Sequence, residues 1–325
     1  MALTASIPVA VGLGPVHIAP GTVTQILAHH LFGAGEGGWA VSDDNIVWKL
    51  RVPRVLLGAC VGATLAVAGT AVQALVRNPL ADPYLLGVAS GASAGAATSI
   101  LFGVGTGVFA LTGSAFVGAL AAIALVFAVA RTGGTLIGSR LVFAGISVGF
   151  ALTALTNFLV FTADSRDGAR AVMFWTLGSL TQSRWESVPM AVAAAVIAVA
   201  VLVFWSRRLD AVAIGDEAAL SLGTDPTAFR AKAALLVAFA VATAVAVSGA
   251  IGFVGLVVPH LSRRLVGAAH RLAVPASALI GALLLVWADA LARTAFAPRE
   301  LPLGILTALV GTPLLIALVR RLNAR

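Results

Sequence analysis

Apolar stretches long enough to cross a lipid bilayer follow one another along almost the whole chain, and this restricts its fold more than any other feature. A helix needs about 20 apolar residues to cross a hydrocarbon layer of about 30 Å. Runs of that kind cover residues 53–76, 84–102, 112–130, 141–161, 188–205, 231–247, 273–292 and 303–319. Two further segments are irregular. Residues 249–266 are apolar but broken by Gly252, Gly255 and Pro259, which suits a short or bent span buried among other helices. Residues 2–16 give a shortened first span of about 21 Å at the usual helical rise. They lack the basic start of a signal peptide, and the shortness suggests a truncated or misassigned start. The sequence therefore predicts an all-α, polytopic membrane protein of about ten transmembrane helices, in one domain over residues 1–325.

Composition closes off the other classes. Of the 325 residues 60% are apolar and 10% charged, with a mean hydropathy of +1.02. Even at 300 residues a soluble domain leaves about a quarter of its unfolded surface in water, so this much apolar surface has nowhere to hide. A soluble enzyme, a nucleic-acid binder and a disordered chain are excluded. Many of the 34 glycines, such as Gly58, Gly62, Gly69, Gly91 and Gly95, fall inside the spans, where small residues let helices approach closely.

The net charge of +8 reads as an orientation signal, because Lys and Arg collect in cytoplasmic loops. One set of loops carries Arg77, Arg131, Arg140, Arg207, Arg208, Arg230, Lys232, Arg263, Arg264, Arg271, Arg320, Arg321 and Arg325, which is 13 of the 21 basic residues. The other set carries the remaining 8, including Lys49, Arg51, Arg54 and Arg293. The richer set is assigned to the cytoplasm, together with both termini. Ala66, Val67, Gly69, Pro79 and Gly87 recur 180 residues later as Ala246, Val247, Gly249, Pro259 and Gly267, which suggests two halves related as inverted repeats.

Chemistry-bearing motifs are sparse. A nucleotide-binding P-loop needs Gly-Lys followed by Ser or Thr; the only lysines, Lys49 and Lys232, follow Trp48 and Ala231. If ATP drives this chain, another chain binds it. The five histidines show no metal-ligand spacing, and the adjacent His29 and His30 read as a solvated interfacial pair. Cys60 lies in an apolar run and reads as a core residue. No Ser or Cys nucleophile stands near a His and an acid. The sequence predicts no catalytic residue, no metal site and no cofactor in this chain.

The longest polar interruption, residues 206–232, contains Asp216-Glu217-Ala218-Ala219 with Gly223 four residues beyond. An acidic first turn suits a helix N-terminus and Gly223 suits its stop, so a short helix over 216–222 is predicted. Considered alone this is a solvated loop. The Glu-Ala-Ala…Gly pattern is similar to the coupling loop by which permeases of ATP-binding-cassette importers dock their ATPases.

Further segments carry a family resemblance: Arg51-Val52-Pro53-Arg54; Gln73-Ala74-Leu75-Val76-Arg77-Asn78-Pro79-Leu80-Ala81-Asp82-Pro83; Gly252-Phe253-Val254-Gly255 through Pro259-His260; and Glu300-Leu301-Pro302-Leu303-Gly304. Together they resemble the FecCD-type permeases of importers for iron siderophores, haem and vitamin B12, from about Val16 to the C-terminus. The resemblance implies a homodimer in the bacterial inner membrane, with two ATPase subunits that hold ATP and Mg, and a periplasmic or lipid-anchored substrate-binding protein. It places Arg51, Arg54 and Arg293 at the outer mouth, where arginines receive acidic residues of the binding protein. It assigns Asp216, Glu217, Ala218, Ala219 and Gly223 to ATPase coupling. It brings Gly138 and Ser139 to a cytoplasmic gate, and expects a short surface helix within residues 164–186.

Other residues read less sharply. Asp289 is the one acid within a predicted span, a costly position. Arg293 lies on the same helix face, so a structural pair is preferred to a proton relay. Asn78, Pro79 and Asp82 form a break between spans, because two prolines forbid a continuous helix. With Gln73 just before it, the break either punctuates the fold or lines the pathway. Two kinds of transport fit the whole pattern: a permease importing a ferric siderophore or haem, with cobalamin as the alternative cargo, and more remotely an ion-coupled secondary transporter relying on Asp289. No residue identifies the cargo.

Overall fold

The computed structural model describes residues 2–33, 37–103, 108–130, 138–297 and 299–323. Arg131 and Arg325 of the richer charge set lie outside them. The chain begins with three short helices, α1 (Ala2–Gly12), α2 (Pro20–Phe32) and α3 (Val41–Asp44). A π-helical stretch, Asn45–Arg51, runs from α3 into α4 (Val52–Val76). There follow α5 (Val88–Phe102), α6 (Val108–Ala130), α7 (Gly138–Phe161), α8 (Arg166–Thr176), α9 (Val188–Phe204), α10 (Ser206–Ile214) and α11 (Asp216–Ser221). The last four are α12 (Pro226–Ser248), α13 (Val254–Val266), α14 (His270–Thr294) and α15 (Leu303–Asn323). No strand occurs among the described residues.

Among the described residues six helical stretches are long and apolar enough to cross a membrane: Val41–Val76, Phe109–Ala130, Gly138–Phe161, Trp185–Phe204, Pro226–Ser248 and His270–Thr294. Of the other predicted spans, those at residues 2–16, 84–102 and 249–266 are shorter or broken, while α15 is a helix over Leu303–Asn323. The first helix stops at Gly12. The span expected from residue 84 starts as a 3-10 turn, Pro83–Leu86, and becomes α5 only after Gly87, whose φ of +72° ends the turn. In the segment expected to be bent, helix begins at Val254, after Phe253 at φ +68°. The residues matched by the 180-residue shift sit in unlike local structure: Gly69 is inside α4, whereas Gly249 follows the end of α12.

Helix α4 is the axis of the fold. Between Val61 and Leu75 nearly every residue is buried, because α9, α12, α13 and α14 all pack on it. Glycine pairs set the distance. A Cβ on Gly62 would overlap the Gly281 carbonyl of α14, and one on Gly281 would overlap the Gly62 carbonyl. A Cβ on Gly69 would likewise overlap the Gly255 backbone of α13. Between these contacts Thr70 Oγ1 donates to Ser277 Oγ at 2.9 Å. Helices α5 and α6 repeat the device with Gly91 and Gly118. Phe253 keeps its left-handed backbone beside α15, where a Cβ on Gly311 would stand 2.6 Å from the Phe253 ring.

Large apolar residues point outward where a lipid or another chain must cover them. On α7 these are Phe143, Phe150, Phe158 and Phe161, and on α15 Leu309, Val310, Leu314 and Ile316.

A methyl group added at Gly62 must push two backbones apart, whereas at Gly113, on the open face of α6, it meets nothing within 4 Å. Gly113→Ala should stabilise the protein by up to about 1 kcal/mol through helix propensity. Gly62→Ala should destabilise it by about 1–3 kcal/mol through overpacking. Thermal unfolding of the two variants in detergent checks the opposite signs.

Candidate functional site

The sequence-predicted residues gather at the two ends of α4. At its N-terminal end lies an ionic cluster. Arg54 Nε donates to Asp289 Oδ1 at 2.9 Å and Oδ2 at 3.2 Å, and its Nη2 stands 2.9 Å from Glu300 Oε2. Arg293 Nε lies 3.0 Å from Asp289 Oδ2, one helical turn away. Two guanidinium groups thus share Asp289, which is 1% exposed. Both its oxygens are engaged by permanent cations, an arrangement for holding helices together rather than for passing a proton.

The same arginines secure α1. The last carbonyls of a helix have no partner within it. Here Arg293 donates to the carbonyls of Ala10 and Leu13, at 3.1 and 2.9 Å. Arg51 donates to those of Val11 and Gly12, at 3.1 and 3.0 Å, and to that of Val16. Arg51 and Arg293, expected at a docking mouth, are thus enclosed within this chain. They are 5% and 2% exposed and their donors are spent on backbone. Arg54 is nearly as enclosed, with its side chain 11% exposed. Glu300 and the carbonyls after α1 were not singled out from sequence, since they lie at least 35 residues from the arginines that bind them.

The expected surface helix near this end is α8. Ser165 Oγ caps it by accepting from the Gly168 N–H at 3.1 Å. Trp185 packs within the protein: its Nε1 donates to the Trp48 carbonyl at 2.7 Å and the two indoles lie 4.8 Å apart.

At the C-terminal end of α4 the predicted helix over 216–222 is present as α11. Gly223 closes it at φ +75°, and the Thr224 N–H donates to the Ala219 carbonyl at 2.8 Å. Asp216 is held by Arg230, whose Nη1 donates to Oδ2 at 2.9 Å. That hydrogen bond holds the Asp216 carboxyl below the usual range. Ala219 is buried against the body of the protein and Ala218 is half-buried, while Glu217 is exposed. Around Glu217 stand Ile214, Leu220 and Leu222, all more than half exposed. Three apolar side chains and one acid exposed together, from the end of α10 through α11 to Leu222, have the character of a protein contact. Sequence reading named the acids and small residues of α11 and overlooked these apolar ones, whose signal was their presence in an otherwise polar stretch.

The neighbouring break is fully bonded. Asn78 Oδ1 accepts from the Leu80 N–H at 2.9 Å, and Asp82 Oδ1 from the Tyr84 N–H at 2.8 Å. Pro79 is exposed. Gln73 Nε2 reaches the carbonyls of Ala81, Gly255 and Leu256 at 3.2–3.4 Å, and its Oε1 accepts from Arg263. Gln73, Asn78 and Asp82 therefore bind backbone and fix the turn. Gly138 opens α7 directly against the last turn of α4, and Ser139 beside it is exposed.

Burial pushes the Asp82 carboxyl up to about 6, against the opposing pull of the Tyr84 N–H. Since folding raises this value, the ionised form costs the folded state: stability should fall as pH rises from about 4 through about 6 and then level off. Asp82→Asn keeps the acceptor for Tyr84 and removes the charge. Its unfolding midpoint should vary less with pH over that interval than the parent's, and at pH above about 7 it should equal or exceed the parent's.

Comparison with known proteins gives these features a family. The FecCD transport family matches residues 2–321. The cobalamin import system permease protein BtuC of Halobacterium salinarum is 43% identical over 282 residues, covering 86% of this chain and 74% of that protein. The hemin transport system permease protein HmuU of Yersinia pestis is 39% identical over 292 residues, covering 87% and 86%. The Fe(3+) dicitrate transport system permease protein FecD of Escherichia coli is 38% identical over 287 residues, covering 88% and 89%. A solved structure of a metal-chelate type ABC transporter in an inward-facing conformation superposes with a TM-score of 0.84 at 30% identity, covering 98% of this chain and 96% of that one. With a family match over nearly its whole length, the apolar helices to go with it and relatives that are permeases of import systems, this chain belongs to the FecCD transport family.

Proposed function

We propose that this chain imports an iron complex, a ferric siderophore or haem, across the bacterial inner membrane by alternating access. The observation that carries this reading is α11: a short helix pinned by a buried arginine, which exposes Glu217 and Leu220 between Ile214 of α10 and the following Leu222 for a partner to grip. The family is one of transport subunits, and ATP hydrolysis belongs to a separate chain. Two such ATPases would each hold one α11. Their closure on ATP would displace it and shift the helices around Gly138 and Ser139. The exposed phenylalanines of α7 and the apolar face of α15 suit a second copy of the chain, with the pathway between them.

In this reading the C-terminal end of α4, with α11, Arg77 and Arg263, faces the cytoplasm, as do both termini. The Arg54 end faces outward and receives the binding protein. Because Arg51 and Arg293 are enclosed, docking falls to the basic residues exposed at that end, Arg166 and Arg170 on α8 and Arg299 before α15. The buried cluster beneath them keeps the platform rigid.

Haem and ferric dicitrate are the cargo in the names of two relatives. Cobalamin is a second reading, favoured by the 43% identity to a cobalamin import permease. No residue of the pathway chooses between them.

Uptake measured in cells with and without the gene, given labelled ferric siderophores, haem and cobalamin in turn, tests the reading. Loss of one uptake that also stops on ATP depletion is the expected result and names the cargo. A lost uptake that follows the proton gradient and ignores ATP would overturn it. For docking, Arg166→Glu with Arg170→Glu should lower the affinity for the binding protein by at least about tenfold with a weaker salt dependence. Unchanged affinity in a binding assay would remove α8 from the platform.

A further inference from the structure

One buried side chain at the C-terminal end of α4 joins three helices. Arg230 lies near the start of α12 and is 1% exposed. Its two terminal nitrogens grip both oxygens of Asp216, at the first turn of α11. Its Nε donates to the Leu75 carbonyl of α4 at 3.1 Å. That carbonyl is also the surface on which α7 begins: a Cβ on Gly138 would stand 3.1 Å from it and 3.1 Å from the Val76 Cα. Asp216, Arg230, Leu75 and Gly138 form an unbroken line of contact from the exposed α11 to the first turn of α7.

The chemistry of the link makes it stiff. A guanidinium is planar, always charged and able to serve a carboxylate with two donors and a carbonyl with a third. Arg230 is enclosed although the Asp216 side chain is 41% exposed, so the guanidinium has no water to take the place of Asp216 when α11 is pushed. Arg77 also approaches Asp216, but at 3.8 Å and with its side chain 46% exposed, where solvent screens the attraction. Gly138 has no side chain to deform, so α7 rests on the α4 backbone itself.

We propose that Arg230 is a positioning residue that transmits displacement of α11 to the first turn of α7, where Gly138 and Ser139 lie. The proposal rests on reading α11 as the ATPase contact and the start of α7 as the gate. Lysine cannot replace Arg230, because a single ammonium on a flexible stem does not hold Asp216 and the Leu75 carbonyl in one fixed geometry.

The test uses the chain assembled with its ATPase and reconstituted in lipid discs. A reporter chain carries Ser139→Cys in a Cys60→Ser background, and the rate of modification by a water-soluble maleimide is measured with and without ATP. With Arg230 intact, ATP should change the rate by about fivefold or more. With Arg230→Met the ATPase should still co-purify and hydrolyse ATP, while the change in rate falls below about twofold. Should Arg230→Met fail to assemble, Arg230→Lys, which keeps the charge beside Asp216, is expected to show the same loss. Either variant binding the ATPase and keeping the full ATP-dependent change would overturn the proposal alone. Two outcomes with Arg230 intact would bring down the underlying reading with it: no binding of the ATPase removes the role of α11, and binding without any change at residue 139 removes the gate from α7.

Discussion

Backbone-to-backbone contact along α4 is the constraint on which the rest of the structure depends. Inside a bilayer apolar side chains gain little by leaving lipid for protein, so helices associate through close packing and a few polar bonds. At Gly62 and Gly69 the neighbouring helices come near enough that their carbonyls occupy the space of a side chain. Four helices can then surround a fifth, and α4 is hidden over most of its length although it is apolar enough to cross a membrane itself. The central helix thereby becomes a rod held to α14 at its Arg54 end and to α12 and α7 at its Leu75 end, with charged residues at both.

Those charges are spent differently at each end. At the Arg54 end arginines and acids close on one another and on the loose carbonyls of α1, producing a fixed platform. At the Arg77 end the buried Arg230 reaches out to a helix that is otherwise exposed. One arrangement suits a surface that must keep its shape, the other a surface that must pass on a push. Burial of an ion pair is expensive unless further hydrogen bonds offset it, and Arg293 and Arg230 each add backbone carbonyls to a carboxylate.

The spans, the short α11 with its glycine stop, the break around Asn78 and Asp82, and the Asp289–Arg293 pair were all legible in sequence, because each depends on residues within one or two helical turns. What was not legible joins distant parts of the chain. Arg54 and Asp289 are 235 residues apart, and Arg230 and Leu75 are 155 apart. In sequence Arg230 is one more basic residue of a cytoplasmic loop. The backbone contacts of Arg51 and Arg293 were hidden for a related reason. An arginine near a helix end turns outward to water or inward to bare carbonyls, and the choice is made by α1, a helix whose packing its own sequence does not announce. The breaks before α5 and α13 were visible as prolines and glycines, but their lengths were set by Gly87 and Phe253 adopting left-handed backbone.

Phe253 also bears on how this sequence can drift. A phenylalanine at φ +68° is strained, and glycine there would relieve the backbone. Yet its ring fills the hollow left by Gly311 on α15, so glycine at 253 would trade strain for a void. A larger residue at 311 would meet the ring. Neither position can change well alone. A lineage that replaced Phe253 by glycine would be expected to gain bulk at 311 in step, so that the pair behaves as a single inherited unit linking the start of one helix to the middle of another.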